Sequence, residues 1–141
     1  MVVDPLSLLF HRSPWRVLDS IILLEPGVRL VARSIAPIPS SFPVASVGAF
    51  ALEAMGQAGL ALLQSSLGGS AASGVVARIS SYTWLSQLPA EAMKSGIVVE
   101  ARIARIWSSG FGLVHSLVSD SSGEPLLTKP TEVLYRVFLA P

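Results

Sequence analysis

The chain has 141 residues, of which 51% are hydrophobic and only 13% charged, with a net charge of +1 and no cysteine. That balance excludes a global field that would gather nucleic acid or anionic lipid, and the missing thiols exclude disulfides, a cysteine nucleophile and cysteine-ligated metal. Soluble monomers carry about twice this share of charge, so the composition points to a membrane protein, a large apolar cavity, or an oligomer that hides surface.

The opening stretch, MVVDPLSLLFHRSPW, reads as a short helix or turn ending at Ser13-Pro14. It lacks a basic stretch followed by a long apolar run and a small-residue cleavage site, so the expected location is the cytoplasm. Arg16 to Leu24 is rich in Val, Ile and Leu and reads as a strand. Glu25-Pro26-Gly27 is a turn, because Pro presets the first turn position and Gly supplies positive φ. Val28 to Ala36 follows as a second strand, with Val28, Leu30 and Ala32 on one face and Arg29, Val31 and Arg33 on the other. The two strands form a hairpin.

Pro37 to Pro43 holds too many prolines for helix or central strand and is a loop. Val47 to Leu67 is built of good helix formers. Its apolar residues Phe50, Leu52, Met55, Leu60, Leu62 and Leu63 go all the way round, which predicts burial on every side. Pro43 to Leu63 matches a membrane span in length. Glu53 near its middle would cost about 2.5–3.5 kcal/mol there, and no second span follows, so the membrane reading is set aside.

Leu67 to Gly74 has the composition of a flexible linker. Period-two alternation then predicts a strand over Val75 to Trp84. A loop over Leu85 to Gly96 carries a short helical turn at Ala90–Lys94. Strands follow at Ile97 to Trp107, Phe111 to Ser119 and Thr131 to Leu139, with turns at Ser108-Ser109-Gly110 and Asp120-Ser121-Ser122-Gly123. In the long strand, Val99, Ala101, Ile103 and Arg105 share one face by strict alternation. The order is hairpin, buried helix, then antiparallel strands. That is an α+β architecture in one domain over residues 1–141.

Glu53 is the only charged side chain between Arg33 and Arg78, and it lies in the most apolar segment. Gln57, one turn later, shares its face. Burial disfavours the charged form of a carboxyl, and a neutral carboxyl can deliver a proton as a general acid. The plainer reading is a structural Glu bonded to Gln57 or to backbone amides. Gly48 marks the start of the same helix, where amides without intrahelical acceptors can hold a carbonyl oxygen, or where a glycine simply permits close packing. His115 lies between Leu113 and Leu117 on one strand face and is expected to point inward, either as a base or as a satisfied interior His. Arg78, Lys94, Arg102, Arg105 and Arg136 are scattered and suit solvated faces, or a docking rim for an acidic partner. Trp84 and Trp107 end strands and read as core, or as the lining of a tunnel. No metal-ligand set, phosphate loop or nucleic-acid motif is present in the sequence.

Leu8-Leu9-Phe10-His11-Arg12-Ser13-Pro14-Trp15, Val17-Leu18-Asp19 and Leu24-Glu25-Pro26-Gly27 resemble the opening of the 3-hydroxyacyl-acyl-carrier-protein dehydratases of fatty-acid synthesis. Leu52-Glu53-Ala54-Met55-Gly56-Gln57-Ala58 is similar to that family's helix motif, Ile-Glu-Ala-Met-Ala-Gln-Ala. The resemblance implies a hot-dog fold, in which an antiparallel sheet wraps one long central helix. It also implies a homodimer or higher oligomer with a continuous sheet. The implied substrate is an acyl chain on phosphopantetheine, carried by acyl carrier protein or coenzyme A, with no further cofactor. Glu53 matches the family's acid and Gly48 its thioester-polarising glycine. The family loop reads roughly Phe-Pro-Gly-His-Phe-Pro. Aligning Phe42-Pro43 with its Phe-Pro puts Ser41 where the catalytic His stands, and Ser41, Phe42 and Pro43 become substrate-binding candidates. Serine without a partner is a poor base. His115 is then the candidate replacement, and His11 matches a structural His of the family. Three readings follow: a dehydratase-like lyase, alone or as a heterodimer with a His-bearing homologue; a non-catalytic acyl-binding subunit; or a thioesterase using Glu53.

Overall fold

Turn chemistry cuts this chain into strands. Gly27, Gly110 and Gly123 all have positive φ, and each sits in a tight turn between extended segments. A computed structural model describes residues 17–37, 47–67, 71–80 and 94–139. Its elements are β1 (Leu18–Glu25), β2 (Arg29–Ser34), α1 (Val47–Ser66), β3 (Ala71–Ser80), β4 (Ile97–Trp107), β5 (Phe111–Asp120) and β6 (Thr131–Leu139). The opening motif, residues 38–46 and residues 81–93 lie outside the described residues, and with them His11, Ser41, Phe42, Pro43 and Trp84.

The strands make one antiparallel six-stranded sheet in the order β1-β2-β4-β5-β6-β3. The chain leaves β2, runs through α1, and returns as β3 at the far edge. The helix touches all six strands. The core is the helix packed on the inward rows of β1, β2, β4, β5 and β6, including Ile21, Leu30, Val99, Val114 and Val133, all fully buried.

Most elements stand where the sequence puts them, and the exceptions have physical causes. The expected Gly/Ser linker ends early, because Ala71 to Gly74 is already strand paired with β6. Gly74 is there for contact, since a Cβ on it would meet Leu60 Cδ1 at 2.6 Å. In β4 a register shift between Ile103 and Arg105 inserts one residue against β5 and sets Arg105 opposite Leu113. Strict alternation breaks there, and Arg105 joins the outer face instead of the face of Ala101. The helix is not buried all round either. Phe50, Ala54, Met55, Ala58 and Ala61 are fully buried, while Ala49, Leu52 and Glu53 form a half-buried stripe.

Tyr135 on β6 locks the helix to the sheet. Its hydroxyl donates to the carbonyl oxygens of Met55 at 3.1 Å and Gly56 at 2.8 Å, in full burial. This approach requires Gly59, where any Cβ would land on the Tyr135 hydroxyl. Burial first, and then the nearby charge of Glu53, hold that hydroxyl above its ordinary value of 10.0.

Gly59→Ala is therefore expected to destabilise the protein. Overpacking costs about 1–3 kcal/mol and the gain in helix propensity returns only about 1 kcal/mol, so the urea midpoint should fall. The pH dependence follows from the raised Tyr135 value. The unfolded chain ionises this tyrosine near 10.0 and the folded chain does not, so stability is present below that pH and is lost as pH rises through it. Alkaline unfolding followed by phenolate absorbance should show Tyr135 ionising only with the loss of structure, and Tyr135→Phe should flatten this part of the pH dependence.

Candidate acyl-binding groove

Helical spacing places Ala49, Leu52, Glu53, Gly56, Gln57 and Leu60 on one stripe of α1. That stripe faces β3, and between them lies a groove of about 460 Å³, closed on the strand side by Gly74, Val75, Val76 and Ile79. The groove is apolar except at Glu53 and Gln57. Gly56 keeps the wall thin, because a Cβ there would come within 3.3 Å of Val76 Cγ2.

The polar pair is ordered by a backbone group. Gln57 is 1% exposed, and its Oε1 accepts from the Val17 amide at 2.9 Å. A backbone N–H can only donate, so the carboxamide oxygen must face Val17 and its NH2 must face the other way. That NH2 donates to Glu53 Oε1 at 3.0 Å. Glu53 Oε1 is thus an acceptor, and a neutral Glu53 bonded this way carries its proton on Oε2. Glu53 itself is half-buried at the groove and not enclosed as its apolar neighbours suggest, because β3 covers the helix stripe only in part. The plainer reading of Glu53, bonded to Gln57, is what the structure shows, and the same residue lines the groove.

Gly48 is the second residue of α1, so its amide belongs to the first turn, where helix geometry supplies no acceptor. His115 is not brought to this site. The buried residues of β5 are Gly112, Val114, Ser116 and Val118, which puts Leu113, His115 and Leu117 on the outer face. The inward orientation expected from its leucine neighbours is therefore corrected: the outer face is itself partly apolar. His115 Nε2 lies 3.5 Å from Glu132 Oε1 there.

Arg78 is exposed on β3 beside the groove-lining Val76 and Ile79, and Arg102, Arg105 and Arg136 are held elsewhere. Arg102 pairs with Glu100 at 2.8 Å, Arg136 lies over the rings of Phe111 and Phe138, and Arg105 lies 5.0 Å over the Trp107 ring. Trp107 is half-buried at the end of β4 and is not a core residue. Among the described residues no three His, Asp or Glu side chains gather as metal ligands, and no helix is long and apolar enough to cross a membrane. Sequence reasoning missed Tyr135, Gly74 and the valines of β3. Gly56 and Gly59, three apart in an otherwise good helix, were the available signal of close approach.

No protein-family model and no curated protein matches the sequence. Solved structures do. The dehydratase heterocomplex ApeI:P from Xenorhabdus doucetiae aligns with a TM-score of 0.70 at 17% identity, over 96% of this chain and 91% of that one. The fold is the hot-dog. A Streptococcus mutans protein bound to acetyl CoA aligns at TM-score 0.64 and 13% identity, over 93% of this chain and 96% of that one. A hypothetical thioesterase with coenzyme A from Streptococcus pneumoniae aligns at 0.60 and 11%, over 84% of each chain. At these identities the likeness establishes how the hot-dog chain folds.

Gln57→Leu removes the acceptor of a buried amide while keeping the volume. It should destabilise the protein by about 1–3 kcal/mol, the usual cost of an unsatisfied buried donor, as measured by urea unfolding. A variant as stable as wild type would show that Val17 does not depend on this bond.

Proposed function

We propose that this hot-dog chain binds acyl thioesters in the groove between α1 and β3 and takes part in dehydration of 3-hydroxyacyl thioesters, with Glu53 as the general acid. The observation that carries this reading is the Glu53–Gln57 pair, the polar point of an otherwise apolar groove. The resemblance of Leu52 to Ala58 to the dehydratase helix motif supports it. In this chemistry a base removes the C2 proton, and the electron pair forms the C2–C3 double bond. The 3-hydroxyl leaves as water with the proton from Glu53 Oε2. The base and Glu53 exchange protons through solvent to reset. The first-turn amide of Gly48 would polarise the thioester carbonyl. The substrate arrives on phosphopantetheine, from acyl carrier protein or coenzyme A, and no other cofactor is needed.

The base comes from a second chain on this reading. Among the described residues the one histidine, His115, faces away from the groove. β3 is at the sheet edge, and its Val75 and Val76 are 52% and 42% exposed. An exposed apolar edge strand is a template for another strand, and a chain paired there would lie beside the groove that Val75 and Val76 line. A His-bearing homologue in that position would supply the base, and the dehydratase neighbour is itself a heterocomplex.

The test is enoyl-thioester formation from 3-hydroxyacyl thioesters by the purified chain, alone and co-purified with a His-bearing hot-dog homologue. The paired protein should turn over and the chain alone should not. Glu53→Gln in the pair should lower kcat by roughly 10²–10⁴-fold, the usual worth of a general acid. Unchanged turnover in Glu53→Gln would sink the assignment, and hydrolysis in place of dehydration would make the protein a thioesterase.

A further inference from the structure

The net charge of +1 conceals an uneven distribution. Ala101 to Ser119 contains no Asp or Glu, and none follows Glu132. Strand pairing brings these acid-free stretches to one end of the sheet, where Trp107 pairs with Phe111 and Phe111 with Arg136. Asp120, Glu124 and Glu132 stand at the opposite end of β5 and β6. The acid-free end also projects. Arg102 is the last residue of β4 paired with β2, and β4 runs five residues further, to Trp107. Ile106, Phe111 and Phe138 are 40%, 36% and 45% exposed there. Among them lie two guanidiniums with no carboxylate partner among the described residues. Arg105 sits over the Trp107 ring, and Arg136 sits over Phe111 and Phe138 and donates to the Ser109 carbonyl. Arg29 and Arg102, further back, are paired with Glu25 and Glu100. The turn is ordered. The Gly110 N–H donates to the Trp107 carbonyl at 3.1 Å, and the Gly110 carbonyl accepts from the Val137 N–H at 2.8 Å.

We propose that this projecting end docks on an anionic lipid bilayer, with Ile106, Trp107, Phe111 and Phe138 at the headgroup boundary and Arg105 and Arg136 against the lipid phosphates. This surface is separate from the groove, which lies nearer the start of α1. The side chains name the occupant. An exposed apolar patch calls for cover, and arginines without acids call for an anion. A second copy of the chain would set arginine against arginine. Ile106 offers a nucleobase no ring to stack on, and Arg136 already lies over both phenylalanines. The headgroup layer takes every part of the patch at once. Aromatic rings rest at that level, an aliphatic side chain reaches below it, and arginines extend along the rings to the phosphates. Behind the tip, a cavity of about 150 Å³ is walled by Leu63, Ile106, Trp107, Phe111 and Val137 among others. The apolar character therefore runs through the projecting end and does not stop at its surface.

The experiment is co-sedimentation of the full chain with vesicles of phosphatidylcholine alone and of equal parts phosphatidylcholine and phosphatidylglycerol. The anionic vesicles should bind the protein, and high salt should weaken that binding. Arg105→Ser should weaken it about fivefold, the worth of one basic side chain at an anionic surface. Ile106→Ser should weaken it without changing the salt dependence. Lipids brominated in their acyl chains should quench part of the tryptophan fluorescence of the unaltered protein. Trp107→Phe, which keeps a ring at the boundary, should still bind and should lose that quenching. Because the quenching is read on the unaltered chain, poor folding of a variant would not protect the idea. Failure to bind anionic vesicles overturns it, and so does binding that leaves Trp107 unquenched. If oligouridylate or polyglutamate binds as tightly as the vesicles and is lost in the same variants, the patch serves that polyanion and no bilayer. If Ile106→Ser instead dissolves a dimer in the absence of lipid, a second copy covers the patch, and the proposal is equally overturned.

Discussion

The bond from the Val17 amide to the Gln57 carboxamide ties two distant parts of the protein together. It joins the start of the first strand to the middle of the helix, in a place closed to water. Because the donor is backbone, it also decides which way the carboxamide points, and so which atom Gln57 offers to Glu53. An acid on an exposed helix would sample several rotamers. Here one oxygen is held by a side chain that is itself held by the fold. The chemistry proposed for Glu53 inherits its geometry from the packing of β1 on α1.

The other half of the site depends on how closely strands can approach the helix. Three glycines do this work, two of them at β3 and one at β6. Gly59 admits Tyr135 of β6, Gly56 admits Val76 of β3, and Gly74 admits Leu60. Each replaces a side chain by a neighbour's atoms, so the sheet sits close along much of the helix and stands off beside Glu53 and beside Leu63. The groove is what remains where close contact stops. Tyr135 adds a polar anchor behind it, spending its hydroxyl on helix carbonyls that already serve the helix.

The low share of charge has two visible outlets. One is the apolar space along α1, a groove beside Glu53 and a smaller cavity beside Leu63. The other is uncovered apolar surface, on the edge strand at Val75 and Val76 and on the outer face at Phe111, Leu117 and Phe138, each at least 36% exposed. Of the three explanations the composition allowed, an apolar cavity is therefore present among the described residues. The second chain proposed above would cover the edge.

The sequence by itself determined the element order, most boundaries and the Glu53–Gln57 pair. These rest on local physics: turn residues end strands, periodicity of two or 3.6 marks strand or helix, and residues four apart on a helix meet whatever surrounds them. The resemblance at Leu52 to Ala58 added the hot-dog expectation. Only the tertiary structure decided which face of each strand is inside. His115 looked inward because its neighbours are leucines, yet the phase of β5 is set by Gly112, Val114 and Ser116 packing under the helix. Arg105 changed face through a bulge that alternation cannot foresee. Ala71 to Gly74 became strand because β6 offers it hydrogen bonds and Leu60 needs a glycine beneath it. Each of these outcomes depends on a partner far away in the chain, and local pattern holds no record of that partner.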